Sequence, residues 1–234
     1  MGYTTNFYGE IQVNPPLNET EQKFLNTFTE TRRVIRDYPN QGKYFLSDGT
    51  DSWGQNTPNI IEHNKPPEGQ PGLWCQWEAT KEGNIKWNDA EKFYHSEEWM
   101  LYLVEHFFKQ NAYMKNLEPE TYKKYGFQEH SLNGVIYAKG EEAGDIWKLS
   151  VKDNEVFVSQ GEVKREAIII ASNIPMRPGM SKDEIIELFY EAWYNVQVSE
   201  SMANWGEAMK LTYNPPPSDL APQLPHSNKK LMLN

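Results

Sequence analysis

The sequence predicts an α+β fold: an antiparallel sheet with helices packed on one face, around a split βαβ-like core. Three observations carry the prediction. Several stretches alternate apolar and polar residues with the period of two that marks a half-buried strand. Two of these stretches end in tight-turn residues and return at once, as antiparallel hairpins do. Two other stretches carry apolar residues at helical spacing and stand between strands, so that strands and helices interleave.

The first strand is Phe7, Gly9, Ile11 and Val13 alternating with Tyr8, Glu10 and Gln12. Pro15 and Pro16 end it, because proline has no N–H to extend a ladder. Asn18 then caps a helix, with Glu21 three positions on as its capping-box partner. Phe24, Leu25, Phe28 and Ile35 fall on one face, and Thr31, Arg32, Arg33 and Arg36 lie near the C-terminal end, where cations favour the helix dipole.

From 37 to 72 the chain is rich in Gly, Pro, Asn, Asp and Gln. This reads as a long loop insertion, with a short strand at Tyr44 to Leu46; loops of this length inside a domain are uncommon and often functional. A disordered insertion is the competing reading. Tyr44, Phe45, Trp53, Ile60 and Ile61 argue for packing against a surface. After it, Leu73, Cys75, Trp77 and Ala79 alternate with Trp74, Gln76 and Glu78; Lys81, Glu82 and Gly83 turn the chain, and Asn84 to Trp87 returns. Either Asp89 or Ser96 opens the next helix, whose Trp99, Tyr102, Leu103, His106 and Phe107 follow the spacing of a buried stripe.

A polar connection over 110–131 leads to three strands, Gly134 to Ala138, Ile146 to Val151 and Glu155 to Ser159, the last two joined at Asp153 and Asn154. A further strand is expected at 166–172 and a helix from Ser181, with Glu184 in a second capping box. A proline-rich tail beyond Pro215 needs a surface to lie on. The expected division is an α+β core over 1–164, containing the 37–72 loop, and a strand, helix and tail over 165–234 packed on it. The first part can be laid out as β-α-β-β-α-β.

A chain of 234 residues with 24% charged and 13% aromatic residues can bury a core of its own. The net charge of −10 argues against non-specific nucleic-acid binding, which needs clustered Lys and Arg. A single cysteine, Cys75, excludes an internal disulfide and any multi-cysteine zinc site. The first residues lack the parts of a signal peptide, and no apolar run is long enough to cross a bilayer, so no membrane role is expected.

The motifs PGLWCQW (71–77), EKFY (91–94), YTT at Tyr3 to Thr5, Phe7 with Gly9, Thr31-Arg32-Arg33 and Trp99 with Tyr102-Leu103 resemble those of a family of uncharacterised bacteriophage proteins. The resemblance spans about residues 1–160. It implies a phage-encoded accessory protein working in the host cytoplasm, and no particular mechanism. At Asp89-Ala90, before EKFY, the family pattern leads one to expect glycines.

No standard catalytic signature is present: GxSxG, the Walker lysine loop, HExxH and the dinucleotide glycine fingerprint are all missing. His95 stands beside Glu91, Glu97 and Glu98, a set that could serve acid–base chemistry or equally be a solvated helix start. No catalytic residue, metal or cofactor is assigned. The candidate ligand site is instead Arg32, Arg33 and Arg36, whose forks match phosphate or carboxylate, with Tyr44 and Trp53 for stacking, Gln55, Asn59 and Asn64 for hydrogen bonds, and Lys92 and Tyr94 at the edge. The competing reading pairs the arginines with local carboxylates such as Glu30 and Asp37. The expected function is binding, either of a host protein or of a small anionic, nucleotide-like ligand. A hydrolase using His95 and nearby Glu residues, and a virion-associated structural protein, are the alternatives. The oligomeric state is left open.

Overall fold

In a computed structural model of the chain, the described residues are 2–142, 144–163 and 203–220. The expected strand at 166–172 and the helix from Ser181 lie outside them. The strand β1 (Asn6–Asn14) is central: it pairs antiparallel with β5 (Ile85–Trp87) on one side and β6 (Ser131–Lys139) on the other. The alternation behaves as the sequence requires, with Phe7, Ile11 and Val13 buried. Gly9 has a φ of +105°, and a Cβ there would stand 2.6 Å from the carbonyl oxygen of Val135, so the close approach of β6 needs glycine at this position.

The helix α1 (Glu19–Glu30) begins as the capping box dictates. The Asn18 side chain accepts from the main-chain N–H groups of Thr20 and Glu21, while Glu21 accepts from the Asn18 N–H at 2.8 Å. Glu21 is wholly buried and does more than cap. Its second oxygen accepts from the Gln128 N–H at 3.1 Å and from Nε2 of His130 at 2.9 Å, while Nδ1 of His130 reaches the Pro15 carbonyl at 2.7 Å. One carboxylate thus ties the start of α1 to the chain entering β6.

The hairpin β4 (Trp77–Ala79) and β5 follows, with Trp77 opposite Trp87. Regular pairing starts later than the 73–80 alternation suggests, since 73–76 does not join the sheet. Neither Asp89 nor Ser96 caps the next helix: α2 (Ser96–Leu103) starts from His95, which sits in the left-handed conformation without a side-chain cap. α2 continues into a π-helical turn over Val104–Phe108, closed by the Lys109 N–H donating to the Val104 carbonyl. The polar connection contains two short helices, α3 (Tyr113–Leu117) and α4 (Pro119–Lys124).

The strands β7 (Ile146–Lys152) and β8 (Glu155–Val163) extend the sheet beyond β6. Asp153 and Asn154, both at positive φ, form the two-residue turn read from the sequence. On the outer edge of β8 lie β9 (Ala203–Trp205) and β10 (Met209–Lys210), and the short helix α5 (Pro217–Leu220) ends the described chain.

The eight-stranded sheet runs β10-β8-β7-β6-β1-β5-β4, with β9 also on β8. The pairing is antiparallel throughout. Its first-half topology is the split βαβ arrangement. The unit β1-α1-β4 encloses β5, and the unit β5-α2-β6 encloses β1. Both crossovers therefore bring their helix to the same face. The resulting core is aromatic: Phe7 touches Trp77, Trp87, Phe93 and Trp147 edge-on at 5.3–5.7 Å, and Phe28 packs on Trp99, Tyr102 and Phe107. Edge-on pairs of this kind add about 0.5–1.5 kcal/mol each beyond the area they bury.

The 37–72 insertion is held against this core. It contains no strand at Tyr44 to Leu46; a two-stranded ribbon forms instead between β2 (Ile35–Arg36) and β3 (Ile60–Glu62). Among the described residues no helix is long and apolar enough to cross a membrane.

Candidate functional site

The three arginines lie where α1 ends and the insertion begins, and they divide in role. Arg33 is wholly buried and donates to the carbonyls of Thr31 (2.9 Å), Lys43 (3.3 Å) and Phe45 (2.5 Å), with its guanidinium 4.3 Å over the Phe28 ring. Burial pulls its pKa down to about 9, which still leaves it charged at neutral pH. Arg36 is buried too. It donates to the carbonyls of Arg32 (3.1 Å) and Gly54 (2.6 Å) and to the Thr57 hydroxyl, and it stacks over Phe45 at 4.3 Å. Neither faces a ligand, and neither donates to Glu30 or Asp37. Apart from the Thr57 hydroxyl their acceptors are main-chain carbonyls, at the end of α1 (Thr31, Arg32) and in the insertion (Lys43, Phe45, Gly54), in irregular chain that leaves those oxygens to be satisfied by side chains. Both arginines are therefore the staples of the loop rather than the anion clamp expected of them.

Arg32 is partly exposed. Its guanidinium donates to the side chains of Gln55 (3.0 Å) and Asn64 (3.2 Å) and lies 5.9 Å from the Trp74 ring, while its N–H donates to the Trp53 carbonyl at 2.9 Å. Gln55 and Asn64 thus carry Arg32 rather than offering themselves to a ligand. Asn59 accepts from the Asp37 N–H through its carbonyl. Tyr44 lies in the core, its hydroxyl 2.7 Å from Nδ1 of His106, and takes no part in a surface site.

What remains exposed gathers elsewhere. Trp53 is 49% exposed and Tyr94 54% exposed. Between them runs a groove of two basins that meet at Trp74, Gln76 and Glu91. The first, about 470 Å³, is walled by Trp53 and Trp74 with Glu30 and Asn88 at its sides. The second, about 520 Å³, lies between Trp74 and Tyr94, with Pro71, Gly72, Lys92 and His95 around it. Both fall in the size range of small-ligand sites. Trp53, Lys92 and Tyr94 are the sequence-predicted site residues that line it, and Arg32 supports it from below.

Trp74, Gln76, Asn88 and Glu91 are absent from the candidate ligand site expected from the sequence, although Glu91 belongs to the His95 set. A signal for the first two existed. The alternation over 73–80 turns Trp74 and Gln76 away from buried Cys75 and Trp77, so an outward tryptophan was visible in the pattern.

The groove floor is rigid. Gln76 donates to the Glu91 carbonyl at 3.0 Å and accepts from the Trp87 indole at 3.2 Å. Three residues of its walls have strained backbone, Trp53, Lys92 and His95 at φ between 57° and 61°, and Ser52 and Asp89 next to lining residues share the conformation. For a residue as bulky as tryptophan this conformation is rare, and such strain concentrates where a side chain is held for use. Cys75, which lines the first basin, is buried, and burial pushes its thiol up to about 12, away from the thiolate a nucleophile needs. Behind Gly72 and beside His95 stands the indole of Trp99, wholly buried. Its Nε1 has no hydrogen-bond partner among the described residues and lies 3.6 Å from where a Gly72 Cβ would be. His95 and Glu98 meet at 3.1 Å on the rim. Among the described residues no cluster of three His, Cys, Asp or Glu residues could hold a metal.

Comparison with known proteins returns no match: no family model fits the chain, and no curated protein and no solved structure is significantly similar to it.

Proposed function

We propose that this protein acts by binding, and that it captures its ligand in the groove centred on Trp74. In the setting that the motif resemblance implies, it is a phage accessory protein that sequesters a molecule or masks a partner inside a bacterial host. The observation that carries the reading is the held exposure of Trp53: a tryptophan at φ 60°, half exposed, facing Trp74 across a groove whose floor is hydrogen-bonded into the sheet. Folding alone gives no reason to keep an aromatic ring in that conformation and in water. Arg33 and Arg36 are committed to the loop and Arg32 is tied to Gln55 and Asn64, so the cation lining the groove is Lys92, set among Glu30 and Glu91. This balance weakens the case for a strongly anionic ligand.

Thermal-shift and calorimetric titration of the full chain against panels of saccharides, nucleotides and short peptides tests the reading. Trp53→Ala is expected to abolish any hit without lowering the melting temperature of the free protein. A hit that survives both Trp53→Ala and Tyr94→Ala would place binding outside the groove and refute the proposal.

One observation favours a second reading. The His95 Nδ1 lies 3.1 Å from Glu98 at the rim of a basin that also holds Glu91, an arrangement able to move a proton on a bound ligand. Turnover of a bound compound, lost in His95→Ala while its affinity is kept, would turn the binding protein into a hydrolase.

A further inference from the structure

Resting on the groove as the binding site, we propose that its ligand is a neutral oligosaccharide, laid face-on against Trp53, Trp74 and Tyr94 and hydrogen-bonded through its hydroxyls to Glu30 and Glu91. The chemistry of the two basins selects among ligand classes. Each has an aromatic face: Trp53 with Trp74 in one, Trp74 with Tyr94 in the other. The axial C–H bonds of a pyranose ring make an apolar face that such a wall removes from water, while its equatorial hydroxyls stay at the edge.

Each basin also presents a carboxylate, Glu30 in the first and Glu91 in both. An ionised carboxylate only accepts hydrogen bonds, so the ligand must bring donors. Sugar hydroxyls do. A proline-rich peptide, the other common guest of tryptophan grooves, has no N–H at its prolines. A phosphate-bearing ligand brings acceptors and negative charge to the same carboxylates, and the guanidinium forks that could offset this are spent on carbonyls and amides.

Because Trp74 separates the basins and serves both, the natural guest is an extended chain of at least two sugars rather than one.

The test is calorimetric titration of the full chain with chitotetraose, cellotetraose and maltotetraose, followed in parallel by tryptophan fluorescence. At least one is expected to bind saturably and to quench the emission. Glu91→Gln and Trp53→Ala are each expected to weaken it ten-fold or more, with circular dichroism and melting temperature unchanged; Tyr94→Ala serves as a second exposed variant. A decaproline peptide and ADP are run beside the saccharides. If either of those binds in a Trp53-dependent way and no saccharide does, the oligosaccharide assignment is overturned and the groove stands as a binding site. If none of the three classes binds, the oligosaccharide assignment falls, and the groove as a small-ligand site falls with it.

Discussion

His106 in the π-helical turn and Tyr213 in the C-terminal segment meet at 2.7 Å, Nε2 to hydroxyl, across 107 residues of sequence. The direction of every bond in this buried chain follows from one end. Lys43 pairs with the Asp219 carboxylate, which only accepts, so the Tyr213 hydroxyl donates to Asp219 at 3.2 Å. Tyr213 must then accept from Nε2–H of His106, which leaves Nδ1 to accept from the Tyr44 hydroxyl. His106 is thus the neutral Nε2–H tautomer, stacked on Tyr102 with ring centroids 3.8 Å apart. The network clasps residues 213–219 onto the insertion and the helix.

Removing the Tyr213 hydroxyl strands the His106 N–H and one Asp219 oxygen at once. Tyr213→Phe is expected to lower stability by about 1–3 kcal/mol, read by urea denaturation, because unpaired buried groups forfeit their hydration. A loss below about 0.5 kcal/mol would mean that the clasp is not closed in solution.

The same tautomer makes stability acid-sensitive. Burial, with Lys43 and Lys109 nearby, holds the folded His106 ring well below its ordinary value near 6.5. The unfolded ring takes up a proton below that pH and the folded one resists, so the unfolded state binds more protons and is favoured by acid. This contribution is complete above about pH 6.5 and is lost progressively as pH falls from there towards the folded value. Denaturation midpoints measured from pH 8 to pH 5 should fall more steeply in the wild type than in His106→Gln, whose amide does not titrate.

The arginines predict a split that charge alone does not. Arg33→Ala takes the donor from the Thr31 and Phe45 carbonyls and one of two donors from the Lys43 carbonyl, and is expected to cost about 3 kcal/mol, with protease cleavage appearing in 37–72. Arg32→Ala removes bonds to the side chains of Gln55 and Asn64 and a distant approach to the Trp74 ring, and is expected to cost less than about 1 kcal/mol. Limited proteolysis of the two variants side by side decides it.

That split also marks how far the sequence could be read. The capping box at Asn18 and Glu21, the Asp153-Asn154 turn and the strand periods are local, and each encodes its own geometry within a few residues. From them even the split βαβ order could be laid out, because two crossovers and a hairpin leave few antiparallel arrangements. The arginines could not be placed that way. The partners of Arg33 and Arg36 are mostly carbonyls, as far as Gly54, 18 residues off in an irregular loop, and a carbonyl leaves no mark in sequence. Tyr44 looked like a stacking ring for the same reason. Its true partner, His106, is 62 residues away and sits on the very stripe that read as core.

Asp89 shows a local signal that could be used further. Its φ is 60° at an exposed position, a conformation that glycine adopts without strain. Asp89→Gly is expected to raise stability by a few tenths to about 1 kcal/mol, less whatever the more flexible unfolded chain takes back. A rise in the denaturation midpoint without a change in the slope would show it.

Trp53 stands in the same backbone conformation for a different return. At φ 60° its Cβ crowds the following carbonyl, a cost of about 1–2 kcal/mol that glycine avoids. Its ring is 49% exposed, so deleting it removes little core. Its carbonyl, which accepts from Arg32 at 2.9 Å, survives any substitution. Trp53→Gly is therefore expected to leave stability unchanged or raise it by up to about 1 kcal/mol, while removing one wall of the groove and with it ligand binding. Stability and binding should move in opposite directions in this one variant, as they do where strain is kept for function. A Trp53→Gly protein that is markedly less stable would mean that the ring holds the insertion down, and the groove would lose its strongest support.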